Sequence, residues 1–267
     1  NPCSRTAPCK TFAGAISKTA AKGEINVMDP GGYGAVTITK SISIVADSVE
    51  AGVLVSGTNG VVINAAATDR VVLRGLDFDG LGTGLRGVQV IAAGEVHVEK
   101  CTINGFTQAG IGFEPSGAGQ LWVRDSVLRS NGAGIVVHGT NAPVDASVQR
   151  SSVDSNAGPG IRILEGSTVT VADSSVSGND GDGVFVRAAG SQAKVLVERT
   201  TIASNADSGL AVGGGASLAV ARIGSDSIFA NGVGLEIQSN GQIFSFGDNR
   251  VTDNGSTVPP TGTTPKT

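Results

Sequence analysis

The residues Ser174-Ser-Val-Ser-Gly-Asn179-Asp-Gly-Asp-Gly183-Val-Phe-Val-Arg187 end one strand, turn, and begin another. A small residue leads to an aliphatic one, then to a turn asparagine, then to a glycine that opens an alternating apolar run. Period-two alternation marks a strand with one buried face. The unit recurs in both directions. Val98, Val123, Val148, Val171 and Val197 each begin a V-x-x-[small]-x-[aliphatic] segment, with Cys101, Ser126, Ser151, Ser174 and Thr200 in fourth place. Asparagines follow at Asn104, Asn131, Asn156, Asn179, Asn205, Asn231 and Asn254, and glycines open strands at Gly87, Gly110, Gly134, Gly160, Gly183, Gly209 and Gly234. The gaps run from 23 to 27 residues in the first series and from 23 to 26 in the second. Two landmarks sharing one irregular period make a repeat.

No ten-residue helical pattern separates these strands, which excludes a βαβ layout. A short-strand repeat of this period predicts an all-β solenoid with about three strands per coil. Coils would stack in parallel at ~4.8 Å, each landmark above its predecessor. Asparagine suits such a turn because it tolerates left-handed backbone and its amides ladder between coils. Residues 24–254 then make roughly nine coils.

Composition agrees. Glycine supplies 40 of 267 residues, about twice its usual ~7% share, as many tight turns require. Apolar residues make up 40%, too many for disorder. No apolar run approaches the eighteen or so residues of a membrane helix. Net charge is −4 with scattered basic residues, so no phosphate-binding stripe exists and nucleic acid is excluded as a partner. Eight Phe, one Trp and one Tyr leave few rings for sugar stacking.

The ends read differently. Residues 1–23 hold a cysteine-closed loop and a short helix over 10–20 with Phe12, Ile16 and Ala20 on one face, a cap for the first coil. Cys3 and Cys9 close a short loop and suit a disulfide in an oxidising compartment; free thiols are the alternative, and no nearby ligand completes a metal set. The chain starts at Asn1, not Met, and is expected to be a processed or trimmed form. Residues 255–267, rich in Thr, Pro and Gly, read as a flexible tail or linker.

The S-x-[VI]-x-x-N turn followed by G-[IVL]-x-[VI], over roughly residues 70 to 254, resembles the right-handed parallel β-helix repeat of the pectate-lyase-like superfamily. The opening Asn1-Pro-Cys-Ser-Arg-Thr-Ala-Pro-Cys-Lys-Thr-Phe, with Asp29-Pro-Gly-Gly-Tyr-Gly, is similar to a group of exported bacterial β-helix proteins of unassigned activity. The resemblance implies a single right-handed parallel β-helix with a short N-terminal capping helix. It leaves function open among polysaccharide lyases, galacturonan hydrolases, sugar epimerases and non-catalytic surface proteins. Hydrolases of this fold carry N-T-D, D-D, G-H-G and R-I-K motifs. Here the nearest matches are Val137-His138-Gly139 and Ile161-Arg162-Ile163, without the paired aspartates. The D-P-H-D run of the epimerases is absent. Asp180 and Asp182 form the one tight carboxylate pair and are the metal candidates, though hard cations need more oxygens and a solvated turn explains both.

Register also sets charges side by side. Lys100, Asp125, Arg150, Asp173 and Arg199 alternate in sign at one repeat position, a ladder that fixes register. The Cys101 column beside it is a stack of small residues, so Cys101 needs no redox role. After each strand glycine, one outward column reads Ile91, Glu114, His138, Leu164, Arg187, Gly213 and Gln238, with Arg162 one step over. Glu114, His138, Arg162 and Arg187 are therefore the catalytic candidates, a set that would bind an acidic sugar and abstract the proton beside its carboxylate. Solvated polar residues on an exposed sheet are the alternative. His97 reads as surface on another strand, and Trp122 as outward, touching a ligand or covering a loop. The expectation is an exported scaffold or interaction protein, secreted, periplasmic or at the cell surface, without cofactor, whose partner is a polysaccharide or another surface protein. A lyase or epimerase on an acidic glycan and a glycan-binding module are the alternatives.

Overall fold

A computed structural model describes residues 3–265 as a parallel β-solenoid of about nine turns. Strands from successive coils and from both ends of the described chain build an eleven-stranded sheet. Two shorter strands of the coil pair, again in parallel, along the other walls. Pairing follows the repeat. Leu73, Val98, Val123, Val148, Val171, Val197 and Ile223 stack in the long sheet. Phe78, Ile103, Leu128, Val153, Val176, Ile202 and Ile228 stack on the second wall. Val90, Phe113, Val137, Ile163, Val186 and Val212 complete the triangle. All of these side chains are fully buried. At ~1.5–3 kcal/mol for each such side chain, these columns are the main stabilising element, and their β-branched residues suit a buried parallel sheet.

The corner leaving the long sheet is left-handed. Lys100, Asp125, Arg150, Asp173, Arg199 and Ser225 all have φ between 45° and 58°, a conformation that persists only where its surroundings impose it. The next column imposes it. Ser126 Oγ accepts from the Cys101 N–H at 3.1 Å and donates to the Arg124 carbonyl at 2.8 Å, and Ser151 repeats both bonds one coil on. The charge alternation resolves into two bidentate pairs, Arg150 on Asp125 (2.8 and 3.0 Å) and Arg199 on Asp173 (2.7 and 3.0 Å). The bonds from the arginines hold both carboxyls below their ordinary range. Cys101 is buried in this column and its thiol is pushed up to about 12 by desolvation, so it packs as a small apolar residue.

The second corner carries the asparagine ladder. Each amide oxygen accepts from the N–H and Nδ2 of the preceding asparagine, as Asn156 does from Asn131 at 3.0 and 3.2 Å. Left-handed backbone falls on the residue before, at Ser130, Ser155, Gly178, Ser204, Ala230 and Asp253. A Cβ on Gly160 would stand 2.8 Å from Asn179 Nδ2 and 2.7 Å from Val176 Cγ1, so the strand glycines make room for the amides. One expected member is missing. Asn104 pairs with Arg129, and Phe106 fills the ladder position, its N–H donating to Asn131 Oδ1 at 3.2 Å. The 27-residue gap from Asn104 to Asn131 was two residues too long for the stack.

At the ends, the disulfide forms as expected, while the helix and the tail differ from the sequence reading. The disulfide joins Cys3 and Cys9. The helix spans only Phe12–Ile16, with Thr11 Oγ1 accepting from the Gly14 N–H at 3.1 Å. Past its end, Lys40 Nζ donates to the Ile16 and Thr19 carbonyls at 2.8 and 2.6 Å. Phe12 and Ala15 are buried while Ala20 is exposed. Residues 255–265 do not hang free: Gly262–Thr263 adds a last parallel strand beside Phe244 and Ser245. The Thr261 N–H reaches the Ile243 carbonyl at 2.7 Å.

Candidate functional site

The third wall places the predicted column as expected. Phe113, Val137, Ile163 and Val186 are register partners facing inward, so the residues that follow them, Glu114, His138, Leu164 and Arg187, stand one above another outside. Arg162 lies in the neighbouring outward column between Val136 and Phe185. Glu114 and His138 each face a charged partner outside this column.

Glu114 pairs with Arg86. The same guanidinium bonds Gln89, and its Nε donates to Gln108 Oε1 at 3.1 Å. Arg86 lies flat over Gly112, where a Cβ would come within 2.6 Å of Nη1. The His138 ring faces Glu165 instead, Nε2 to Oε1 at 3.3 Å, with Thr140 Oγ1 3.4 Å from Nδ1. Partial burial pushes the Glu165 carboxyl up, but its own backbone N–H and the His138 ring outweigh this and hold it below the usual range. Arg162 and Arg187 are exposed, and among the described residues neither forms an ion pair. This face offers two guanidiniums beside a half-buried Phe185, a Glu114 paired with Arg86, and a His138 whose Nε2 stands beside Glu165 without a hydrogen bond.

The metal candidates diverge. Asp180 is exposed. Asp182 is half-buried and accepts from the Ser208 N–H at 3.0 Å; burial raises its carboxyl, with Asp207 and Glu236 adding to the effect. Among the described residues, no three His, Cys, Asp or Glu side chains are grouped to hold an ion.

His97 corrects the sequence reading. It is 7% exposed, because Trp122, its register partner in the next coil, stacks on it at 4.7 Å and 10°. Glu95 and Glu99 each stand 3.7 Å from a ring nitrogen, yet neither nitrogen makes a hydrogen bond. Burial lowers its affinity for a proton, helped by Arg70 and opposed by the two glutamates. The 25-residue step from 97 to 122 was the available signal for this contact. For Arg86 and Glu165 there was none, since neither belongs to the column it serves.

Residues 125–258 match the family model for the right-handed beta helix region. No curated protein sequence matches the chain significantly. Among solved structures, the chain is similar to the pectate lyase Pel9A, with a TM-score of 0.69 and 14% identity over 97% of this chain and 75% of that one. It is also similar to the A-module of the Azotobacter vinelandii mannuronan C-5 epimerase AlgE6, with a TM-score of 0.53 and 15% identity over 95% and 92% of the two chains. ORF18 of Geobacillus virus E2 gives a TM-score of 0.61 at 11% identity, over 87% of this chain and 57% of that one. At such identities the likeness is one of fold.

Proposed function

The chain belongs to the right-handed β-helix family, and on that premise we propose that it is an exported interaction scaffold, a rod that presents fixed side-chain columns to a partner without turning it over. The observation that carries this reading is the separate engagement of Glu114 and His138. A general base for proton abstraction must reach the proton it takes; Glu114 is committed to Arg86, and the His138 ring faces Glu165 rather than the other members of its column. The Cys3–Cys9 disulfide supports an oxidising compartment.

A second reading, an acidic-glycan-binding module without turnover, is favoured by one feature. Arg162 and Arg187 lack carboxylate partners among the described residues and stand beside Phe185 on the same face. Titrating an acidic oligosaccharide against wild type and the His138→Ala/Arg187→Ala variant separates the readings. The scaffold reading expects no difference in affinity, with the variant still folded and a stability loss of about 1 kcal/mol, mostly from His138, whose ring is partly buried beside Glu165. Saturable binding that the double variant loses would favour the glycan module.

A further inference from the structure

His97 lies on the outer face of the long sheet, with Val72 and Trp122 as its register partners in the coils before and after. The indole covers one side of its ring. The ring's edges meet carboxylates. Nε2 stands 3.7 Å from Glu95 Oε2, and Nδ1 stands 3.7 Å from Glu99 Oε1. A neutral imidazole has a single N–H to give, so it cannot donate to both. A protonated ring can, and hydrogen-bond distance is less than about 1 Å away at each edge.

Glu95 already has a competing cation. The same Oε2 lies 3.5 Å from Arg70 Nε, so one carboxylate oxygen stands between a permanent charge and a titratable ring. The other charges around the ring come from the neighbouring strands. Arg74 and Arg124 flank Glu99 in register. Arg74 is paired with Asp47 at 2.7 Å, and Arg124 forms no ion pair among the described residues. Gln120, opposite Glu95 in the next coil, is neutral.

We infer that His97 is a proton-operated switch for this face. Neutral, it lies as an uncharged plate against Trp122 and leaves Glu95 to Arg70. Protonated, it takes Glu95 and Glu99 on its two N–H groups and releases Arg70, whose side chain is already 60% exposed. The ring stays in the stack in both states, since a charged ring also gains from the indole face. Burial and Arg70 oppose the proton while the two glutamates favour it, so the change falls below the ordinary imidazole value of ~6.5. In acid this face therefore gains positive charge and a guanidinium free to meet an anionic group. This goes beyond the scaffold reading and does not depend on it.

The test is a nuclear magnetic resonance titration of the full chain from about pH 8 to about pH 4.5. The two histidines give two ring signals, and His138→Ala leaves only that of His97. The His97 signal is expected to titrate in the folded protein with a midpoint below ~6.5. The Arg70 Nε–H signal, assigned by its loss in Arg70→Gln, should move with the same midpoint. Emission of the single tryptophan should fall there too, because an imidazolium quenches an indole on which it stacks. Arg70→Gln should raise the midpoint by about half a unit, and Glu95→Gln should lower it by about as much. Should either variant misfold, the wild-type signals decide without it. A His97 ring that takes no proton before the chain unfolds overturns the proposal. So does an Arg70 signal that ignores the titration, or a rise in emission marking a ring that has left the stack.

Discussion

Replacing Asp226 by serine is expected to make the protein more stable at pH 8 and slightly less stable at pH 4. Asp226 occupies the serine column of the first corner, 1% exposed. Its oxygens accept from the N–H groups of Thr200 at 2.8 Å and Gly224 at 3.0 Å. Burial raises its carboxyl from 3.8 to about 7; those two N–H bonds oppose the rise and the Asp248 and Glu198 charges add to it. The folded state therefore holds a proton that the unfolded chain releases near its ordinary value. The resulting stability is fully present below that ordinary value and is lost as pH rises toward 7. A rise of this size in proton affinity corresponds to about 4 kcal/mol. A serine there would accept from Thr200 as Ser151 does from Ser126, and only the Gly224 bond would be lost, offsetting about 1 kcal/mol. Stability measured by denaturant unfolding should therefore cross between the two pH values, with the variant ahead by about 3 kcal/mol at pH 8. Parallel pH profiles would show that Asp226 is not protonated in the fold.

Asn179→Ala should produce the largest loss. The side chain is 1% exposed. Its oxygen accepts from Asn156 N and Nδ2 at 3.1 and 2.9 Å, and its Nδ2 donates to Asn205 Oδ1 at 2.8 Å and the Val153 carbonyl at 3.2 Å. Alanine orphans the Asn156 N–H and the Val153 carbonyl in a dry corner. At ~1–3 kcal/mol for each buried group left unpaired, the expected cost is about 2–4 kcal/mol. Asn104→Ala is the control, since among the described residues the Asn104 side chain makes one bond, to the Phe78 carbonyl at 3.1 Å, worth about 1 kcal/mol. Equal unfolding midpoints for the two variants would mean that the ladder is not what distinguishes them.

What could be read from the residues alone was whatever repeats at the coil period. Val148 above Val123 and Asn156 above Asn131 follow directly, because equal positions in successive coils are forced into contact. The same logic put Glu114, His138 and Arg187 in one column. It could not tell that Arg86 would reach across Gly112 to take Glu114, or that Glu165, past the end of its strand, would take His138. Those contacts depend on side-chain reach rather than on register. Asn104 misled because its residue type fitted the turn while its spacing did not; Phe106, two residues on, holds the position. The Ile16 and Thr19 carbonyls at the end of the short helix are met by Lys40, a distant residue that no local pattern reveals.

Whether the face carrying His138 and Arg187 performs chemistry decides between a scaffold and an enzyme. The decisive measurement is ultraviolet absorbance of unsaturated product on a panel of acidic polysaccharides, with and without calcium, for wild type beside the His138→Ala/Arg187→Ala variant. The interaction-scaffold reading predicts traces indistinguishable from buffer for both proteins on every polymer. Product formed by wild type and lost in the variant would contradict it.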